Sequence, residues 1–199
     1  MDSIIKILCG IDDVLICPRC TLALSRTSVV VGDGPDDAKV MLIGEAPGKN
    51  EDKQGRPFVG AAGKILDHLL EKGGVDRGTV YITNVVKCRP PGNRPPKKDE
   101  IEACSVYLQK QLEEIAPEAI VLLGKTASES YLDRKVDMGK EHGKPFNMDG
   151  RTIVITYHPA SVIYNRKLRD AIEADFKSVS GLMKFRSTFI ARQARDDDR

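Results

Sequence analysis

Long apolar runs and an excess of one charge are both missing from this chain of 199 residues. Its longest apolar stretch, Ala119 to Leu123, is far too short to cross a bilayer, which excludes a transmembrane helix and predicts no membrane partner. The 31 basic and 29 acidic side chains leave a formal charge of +2, so any nucleic-acid role must rest on local charge. The N-terminus lacks the basic segment and apolar core of a signal peptide, since Asp2 precedes Ile4 and Ile5 with Lys6 behind them. Five cysteines is an odd number. Together these features predict an intracellular, cytoplasmic chain whose thiols stay reduced, where cysteines more often bind metal than pair.

With 41% hydrophobic residues the chain can bury a full core, and its length suits one ordinary domain over residues 1–199. The charged stretch Ser187 to Arg199 is expected to be a frayed tail. Short apolar runs alternate with amphipathic stretches, the pattern of βαβ units around a mostly parallel sheet. Four strands are predicted: Val40–Gly44, Val80–Val86, Ala119–Leu123 and Thr152–Thr156. Helices are predicted over Ala61–Lys72, Asp99–Ile115, Lys125–Leu132 and about Arg166–Lys184, the last with Leu168, Ile172, Phe176, Val179 and Met183 on one stripe. The expected fold is a three-layer α/β/α sandwich on a central four-stranded sheet, with Asp137 to Gly150 left irregular. In such sheets ligands bind beyond the carboxyl ends of the strands. There the chain places Gly44-Glu45-Ala46-Pro47-Gly48, Asn84, and His158-Pro159-Ala160.

Cys17-Pro18-Arg19-Cys20 is a local thiolate pair, and Cys88 and Cys104 are two distant singles separated by fifteen residues. Four thiolates complete either a tetrahedral zinc site or an iron–sulfur cubane. Zinc ribbons close two local pairs, so the asymmetry favours a cluster. Cys104 also fits a buried series with Ile101, Leu108 and Leu112, and there it reads equally as a small hydrophobe. Cys88 lies in the basic, proline-rich run Lys87-Cys88-Arg89-Pro90-Pro91, which does not resemble core, and Cys9 has no local partner. The glycines of the Gly44 to Gly48 loop allow close backbone approach to a carbonyl or phosphate. Phe58, an aromatic among glycines and a proline in Gly55 to Gly63, suits stacking on a planar ligand such as a nucleobase.

These runs, Gly44-Glu45-Ala46-Pro47-Gly48 through Glu51-Asp52 to Gly55-Arg56-Pro57-Phe58-Val59-Gly60, then Thr83-Asn84-Val85-Val86-Lys87-Cys88-Arg89-Pro90-Pro91, then His158-Pro159-Ala160, closely resemble the family 4 uracil-DNA glycosylases. The resemblance covers Cys17 to about Phe176. It implies a monomeric, intracellular base-excision repair enzyme that acts on uracil-containing DNA, single- or double-stranded, with a [4Fe-4S] cluster held by Cys17, Cys20, Cys88 and Cys104. It further implies a uracil pocket of Gly44, Glu45, Ala46, Phe58, Asn84 and His158. In it Phe58 stacks on a flipped base, Asn84 reads N3–H and O4, and His158 donates to O2. Glu45 and Glu51 are the carboxylates available to orient water or balance positive charge on the sugar, and Glu51 is the candidate to exclude a methyl group at C5.

Phosphate contacts are assigned to Lys87, Arg89, Arg94, Lys97 and Lys98, which fall within twelve residues that contain no acid. Ser161-Val162-Ile163-Tyr164 is assigned as the wedge that fills the gap in the stack. No apolar sliding-clamp motif is evident at the C-terminus. The alternatives left open are a glycosylase with broader preference for deaminated bases, and a non-catalytic iron–sulfur protein that binds DNA.

Overall fold

The computed structural model describes residues 11–179 and residue 181. A five-stranded sheet organises them: β1 (Val40–Gly44), β2 (Val80–Asn84), β3 (Ala119–Leu123), β4 (Phe146–Met148) and β5 (Arg151–Thr156), in the order β2-β1-β3-β5-β4. The first three pairings are parallel and β4–β5 is antiparallel. Each central strand is a short run of mostly branched apolar residues, and it is buried on both faces because helices cover both.

Alternation along the strands sorts side chains into two cores. Met41, Ile43, Ile120, Leu122, Ile153 and Ile155 face one layer, packed under α4 (Lys98–Ile115) and α5 (Lys125–Leu132). Val40, Leu42, Ile82, Val121 and Val154 face the other, under α3 (Ala61–Gly73) and a helix over residues 169–179 that presents Ile172, Phe176 and Val179. This is the expected α/β/α sandwich. No helix among the described residues is long and apolar enough to cross a membrane.

The expected four strands become five. The segment read as irregular contains α6 (Met138–Glu141) and the edge strand β4, which turns into β5 through Asp149 (φ 51°) and Gly150 (φ 78°). Asp-Gly with both residues left-handed is a tight hairpin turn matched to strand twist. With only three residues, β4 carries too little alternation to be seen by periodicity.

Three further boundaries differ from expectation. The second strand ends at Asn84, not Val86. Polar Lys49–Gln54 forms a short helix, α2, stopped by Gly55 at φ 69°. The long final helix begins later, after a 3-10 turn at Arg166–Leu168, capped by the Asn165 side chain accepting from Lys167 N–H at 3.2 Å. Met183, Lys184, Cys9 and the charged tail lie outside the described residues.

Candidate active site

Register brings the first two motifs together. Gly44 is directly opposite Asn84 in the β1–β2 ladder, so the loop leaving β1 runs beside the Asn84 side chain. The main chain continues the match, with Val85 N–H donating to Gly44 O at 2.9 Å and Val86 N–H to Glu45 O at 3.3 Å. His158 follows β5 by two residues. Glu45, Ala46, Glu51, Phe58, Asn84, Arg94 and His158 then line one cavity of about 320 Å³, the size of a small-molecule site.

Phe58 is held in a strained backbone conformation, φ 51° in a non-glycine residue. Several contacts impose it. Glu51 Oε1 accepts from Val59 N–H at 2.9 Å and Gly60 N–H at 2.7 Å, and Arg77 donates to the carbonyls of Pro57 at 3.0 Å and Phe58 at 3.4 Å while paired with Asp67. A Cβ on Gly63 would stand 1.9 Å from the Phe58 carbonyl oxygen, so glycine alone lets α3 pass so close. The Phe58 ring thereby comes over the cavity and stacks on His158, centroids 5.7 Å apart and planes at 27°.

Asn84 is 2% exposed, and its side-chain amide has no hydrogen-bond partner among the described residues. A Cβ on Gly44 would lie 2.5 Å from Asn84 Oδ1 and 2.8 Å from Phe58 Cζ, so the glycine leaves room for both. His158 Nδ1 accepts from Ala160 N–H at 3.1 Å. In the neutral ring Nε2 therefore carries the proton. Burial pushes the His158 pKa down to about 4, with the charge of Glu51 opposing. Glu51 has one oxygen committed to the Phe58 loop, whereas the Glu45 carboxylate has no partner among the described residues.

The basic cluster does not behave as one unit. Lys87 is 1% exposed and points inward, its Nζ donating to Thr83 Oγ1, Asn84 O and Gln111 Oε1, all at 2.7 Å; it cannot reach a phosphate. Burial lowers its pKa to about 8. Arg94 is held bidentate by Glu100, at 2.8 and 2.6 Å, and also donates to Pro95 O. Lys97 and Lys98 are exposed, and half-exposed Arg89 donates Nε to Asn93 at 2.7 Å.

In the proposed wedge, now helical turn α7 (Ser161–Tyr164), Val162 is buried in the core and cannot intercalate. Ile163 is 51% and Tyr164 88% exposed. A four-residue helical turn points successive side chains about 100° apart, so one of the four must face the protein.

All four predicted cysteine ligands line a second, small cavity, brought there by the chain after α1 (Ile11–Leu15), the loop after β2, and α4. Arg26 donates to Cys88 Sγ at 3.4 Å and to Cys17 O at 2.8 Å, and Lys87 N–H donates to Cys104 Sγ at 3.3 Å. Burial raises the thiol pKa of Cys88, and that of Cys104 to about 11. No three of the described His, Cys, Asp or Glu side chains converge as the ligands of a single ion.

Sequence reasoning missed the supports. Besides Arg77 and Gly63, Asp175 is buried beside the end of β5, accepting from Thr156 Oγ1 at 2.6 Å and facing His142 Nδ1 at 3.1 Å, which ties the β4 segment to the strand that leads into His158. Glu100, fully buried, joins Arg94, the Lys97 N–H and Thr21 next to Cys20. For Asp175 the available signal was an acidic residue on the apolar stripe of its helix; for Glu100 it was an acidic residue at the third position of a helix, where it can cap the first turn.

Comparison with known proteins gives the family. The profile of the Uracil DNA glycosylase superfamily matches residues 31–178. A type-4 uracil-DNA glycosylase of Sulfurisphaera tokodaii is 45% identical over 192 residues, covering 92% of this chain and 86% of its own. Those of Saccharolobus solfataricus (48%, covering 84% and 82%) and Thermotoga maritima (44%, covering 84% and 90%) are similarly close.

Proposed function

The chain belongs to the type-4 uracil-DNA glycosylases, hydrolases that excise uracil from DNA in repair, and we propose that the cavity between Phe58, Asn84 and His158 is where it does so. The observation that carries the reading is the Asn84 amide, which lines the cavity together with a neutral His158 and has no hydrogen-bond partner among the described residues. An amide that faces a cavity and is satisfied by no protein group is available to a ligand that offers the complementary donor and acceptor.

Uracil extruded from the stack enters this cavity and lies on Phe58. The Asn84 amide oxygen accepts from N3–H and its NH2 donates to O4. Cytosine presents the opposite pattern and leaves both groups unpaired, which rejects it. As the N-glycosyl bond breaks, the sugar gains oxocarbenium character and negative charge collects on O2. His158, already neutral, donates Nε2–H to that oxygen without transferring the proton, a contribution typically of ~3 kcal/mol. Glu45, with its carboxylate free, is the residue to orient the attacking water and offset the positive sugar. Glu51 instead sets the Phe58 loop and forms a rigid wall toward C5 of the base.

The cysteine cavity fits a [4Fe-4S] cluster on its donor chemistry: Cys17, Cys20, Cys88 and Cys104 would hold it, and two N–H···S contacts already face the sulfurs. A single zinc ion draws its thiolates to about 2.3 Å from one point. One local pair, Cys17 and Cys20, with two distant singles is not the two-pair spacing of a zinc ribbon, which favours the cubane. Bound there, the cluster cross-links three chain segments. For the DNA, exposed Lys97 and Lys98 and half-exposed Arg89 meet phosphate and Tyr164 with Ile163 fill the stack, the enzyme acting as an intracellular monomer.

The test is a base-release assay on duplexes carrying uracil, cytosine, thymine, hypoxanthine or xanthine. Release of uracil alone, lost in Asn84→Ala and His158→Ala, supports the reading. Wild-type uracil release by both variants refutes it.

A further inference from the structure

Lys87 stands in the loop that sequence reasoning gave to phosphate, yet its ammonium is fully enclosed. Its three N–H bonds are all spent, each at 2.7 Å, on Thr83 Oγ1, the Asn84 carbonyl and Gln111 Oε1. All three acceptors are neutral. Thr83 passes its own hydrogen to Val31 O at 2.8 Å, and Gln111 donates its NH2 to Val31 O at 2.9 Å and Tyr81 Oη at 3.0 Å, which turns Oε1 toward the lysine. No carboxylate pairs with the ammonium in this network. The one charge-bearing group acting on it is the Cys104 sulfur of the cysteine cavity, and burial still disfavours the ammonium; an apolar side chain of similar length would fill the same space at lower cost. The network therefore does something that packing alone does not.

What it fixes is the last residue of β2. The Asn84 carbonyl is held from inside the protein by Lys87 Nζ, and the orientation of that peptide sets the direction in which the Asn84 side chain leaves the backbone. The same lysine reaches the cysteine cavity through its main chain, donating N–H to Cys104 Sγ at 3.3 Å and preceding Cys88 in sequence. Gln111 and Cys104 both belong to α4, so one helix carries an acceptor of the ammonium and a sulfur of the cavity.

We infer that Lys87 is a positioning residue: it holds Asn84 in its base-reading orientation and couples that orientation to the cysteine-lined cavity. The inference rests on the base-reading role given to Asn84 above. A lysine in this role acts on the chemical step and not on phosphate affinity, and the two are separable by kinetics.

The experiment uses the holoenzyme on a uracil-containing oligonucleotide, with iron per chain and visible absorbance measured for every variant. Lys87→Met is expected to lower kcat by about tenfold or more, since small misplacements of a reactive constellation are costly. KM and the slope of log KM against log salt are expected to stay as in wild type. A phosphate contact would instead raise KM and reduce that slope by about one, and this result, like an unchanged kcat, overturns the inference. Because Lys87→Met touches the cysteine loop, Gln111→Leu is the second arm: it removes one acceptor at a distance from the sulfurs. Wild-type kcat in Gln111→Leu also overturns the proposal.

A double-mutant cycle by single-turnover kinetics separates this idea from the reading beneath it. If Lys87 works through Asn84, adding Lys87→Met to Asn84→Ala costs little more. Additive losses overturn the coupling and leave the role of Asn84 intact. Wild-type kcat in Asn84→Ala itself removes the base-reading role and this inference together.

Discussion

His158 Nδ1 accepts the backbone N–H of Ala160 at 3.1 Å, so the imidazole is tied to its own turn by one nitrogen and presents the other, protonated, to the cavity. Since burial brings the pKa to about 4, this donor is present through neutral and mildly acidic pH. The kcat should therefore show no His158 inflection between pH 8 and 5 and should fall only as pH approaches 4, where a proton on Nδ1 ends its acceptance of the Ala160 N–H and releases the ring from its turn. A pH–rate profile at constant ionic strength checks this, and an inflection near 6.5 contradicts it. A depressed pKa also means that the folded state binds fewer protons than the unfolded one. The associated stability is present above about 6.5 and is lost as pH falls through about 4. His158→Ala should cost about 100-fold in kcat.

Gly44 and Gly63 make different predictions. In Gly63→Ala the new methyl meets a backbone carbonyl at 1.9 Å, which cannot yield cheaply, so thermal stability should fall by several degrees along with activity. In Gly44→Ala the obstacles are the Asn84 and Phe58 side chains at the cavity, so kcat should fall far more than the melting temperature. Melting curves beside turnover separate the two.

Removing a sulfur tests the cysteine cavity. Cys88→Ser should abolish broad absorbance near ~400 nm, expected of a cubane, and lower the melting temperature, because the N-terminal segment, the β2 loop and α4 lose their cross-link. Cys9→Ala should change neither. Full retention of iron by Cys88→Ser would remove Cys88 from the ligand set.

Glu100 makes an acid-stability prediction. The bidentate Arg94 contact, helped by Lys97 N–H, holds its pKa down at about 2 against the ordinary 4.5. The folded pKa is the lower one, so its stabilisation is complete above about 4.5 and is lost as pH falls toward 2. Glu100→Gln should lower the melting temperature at pH 7 and flatten its fall over that window.

Phosphate binding should divide along exposure. Lys97→Ala should weaken DNA binding and reduce the slope of log affinity against log salt by about one, read by fluorescence anisotropy across salt. No comparable change in slope at Lys97 would move the phosphate contact elsewhere.

Much of the fold was legible because its signals are local. Four parallel strands are runs of five or six mostly apolar residues between amphipathic helices, and α5 was placed to the residue at Lys125–Leu132. The three-residue β4 escaped periodicity, although Asp149-Gly150 is a hairpin signal. Charge read along the chain misled at Lys87, because a run of basic residues does not say which way each side chain turns. Val162 misled in the same way, being apolar on a turn that has both a buried and an exposed side.

By itself the sequence determined the motifs and their order at the carboxyl ends of the strands, since residue type and spacing carry that chemistry. Tertiary structure alone decided that Gly44 faces Asn84, that His158 keeps its proton on Nε2, that Glu51 is committed to the Phe58 loop while Glu45 has no partner among the described residues, and that Lys87 turns inward. The reason is physical: direction, burial and partner are properties of packing between segments far apart in the chain, and no local pattern encodes which of several polar groups will be enclosed and which left facing the cavity.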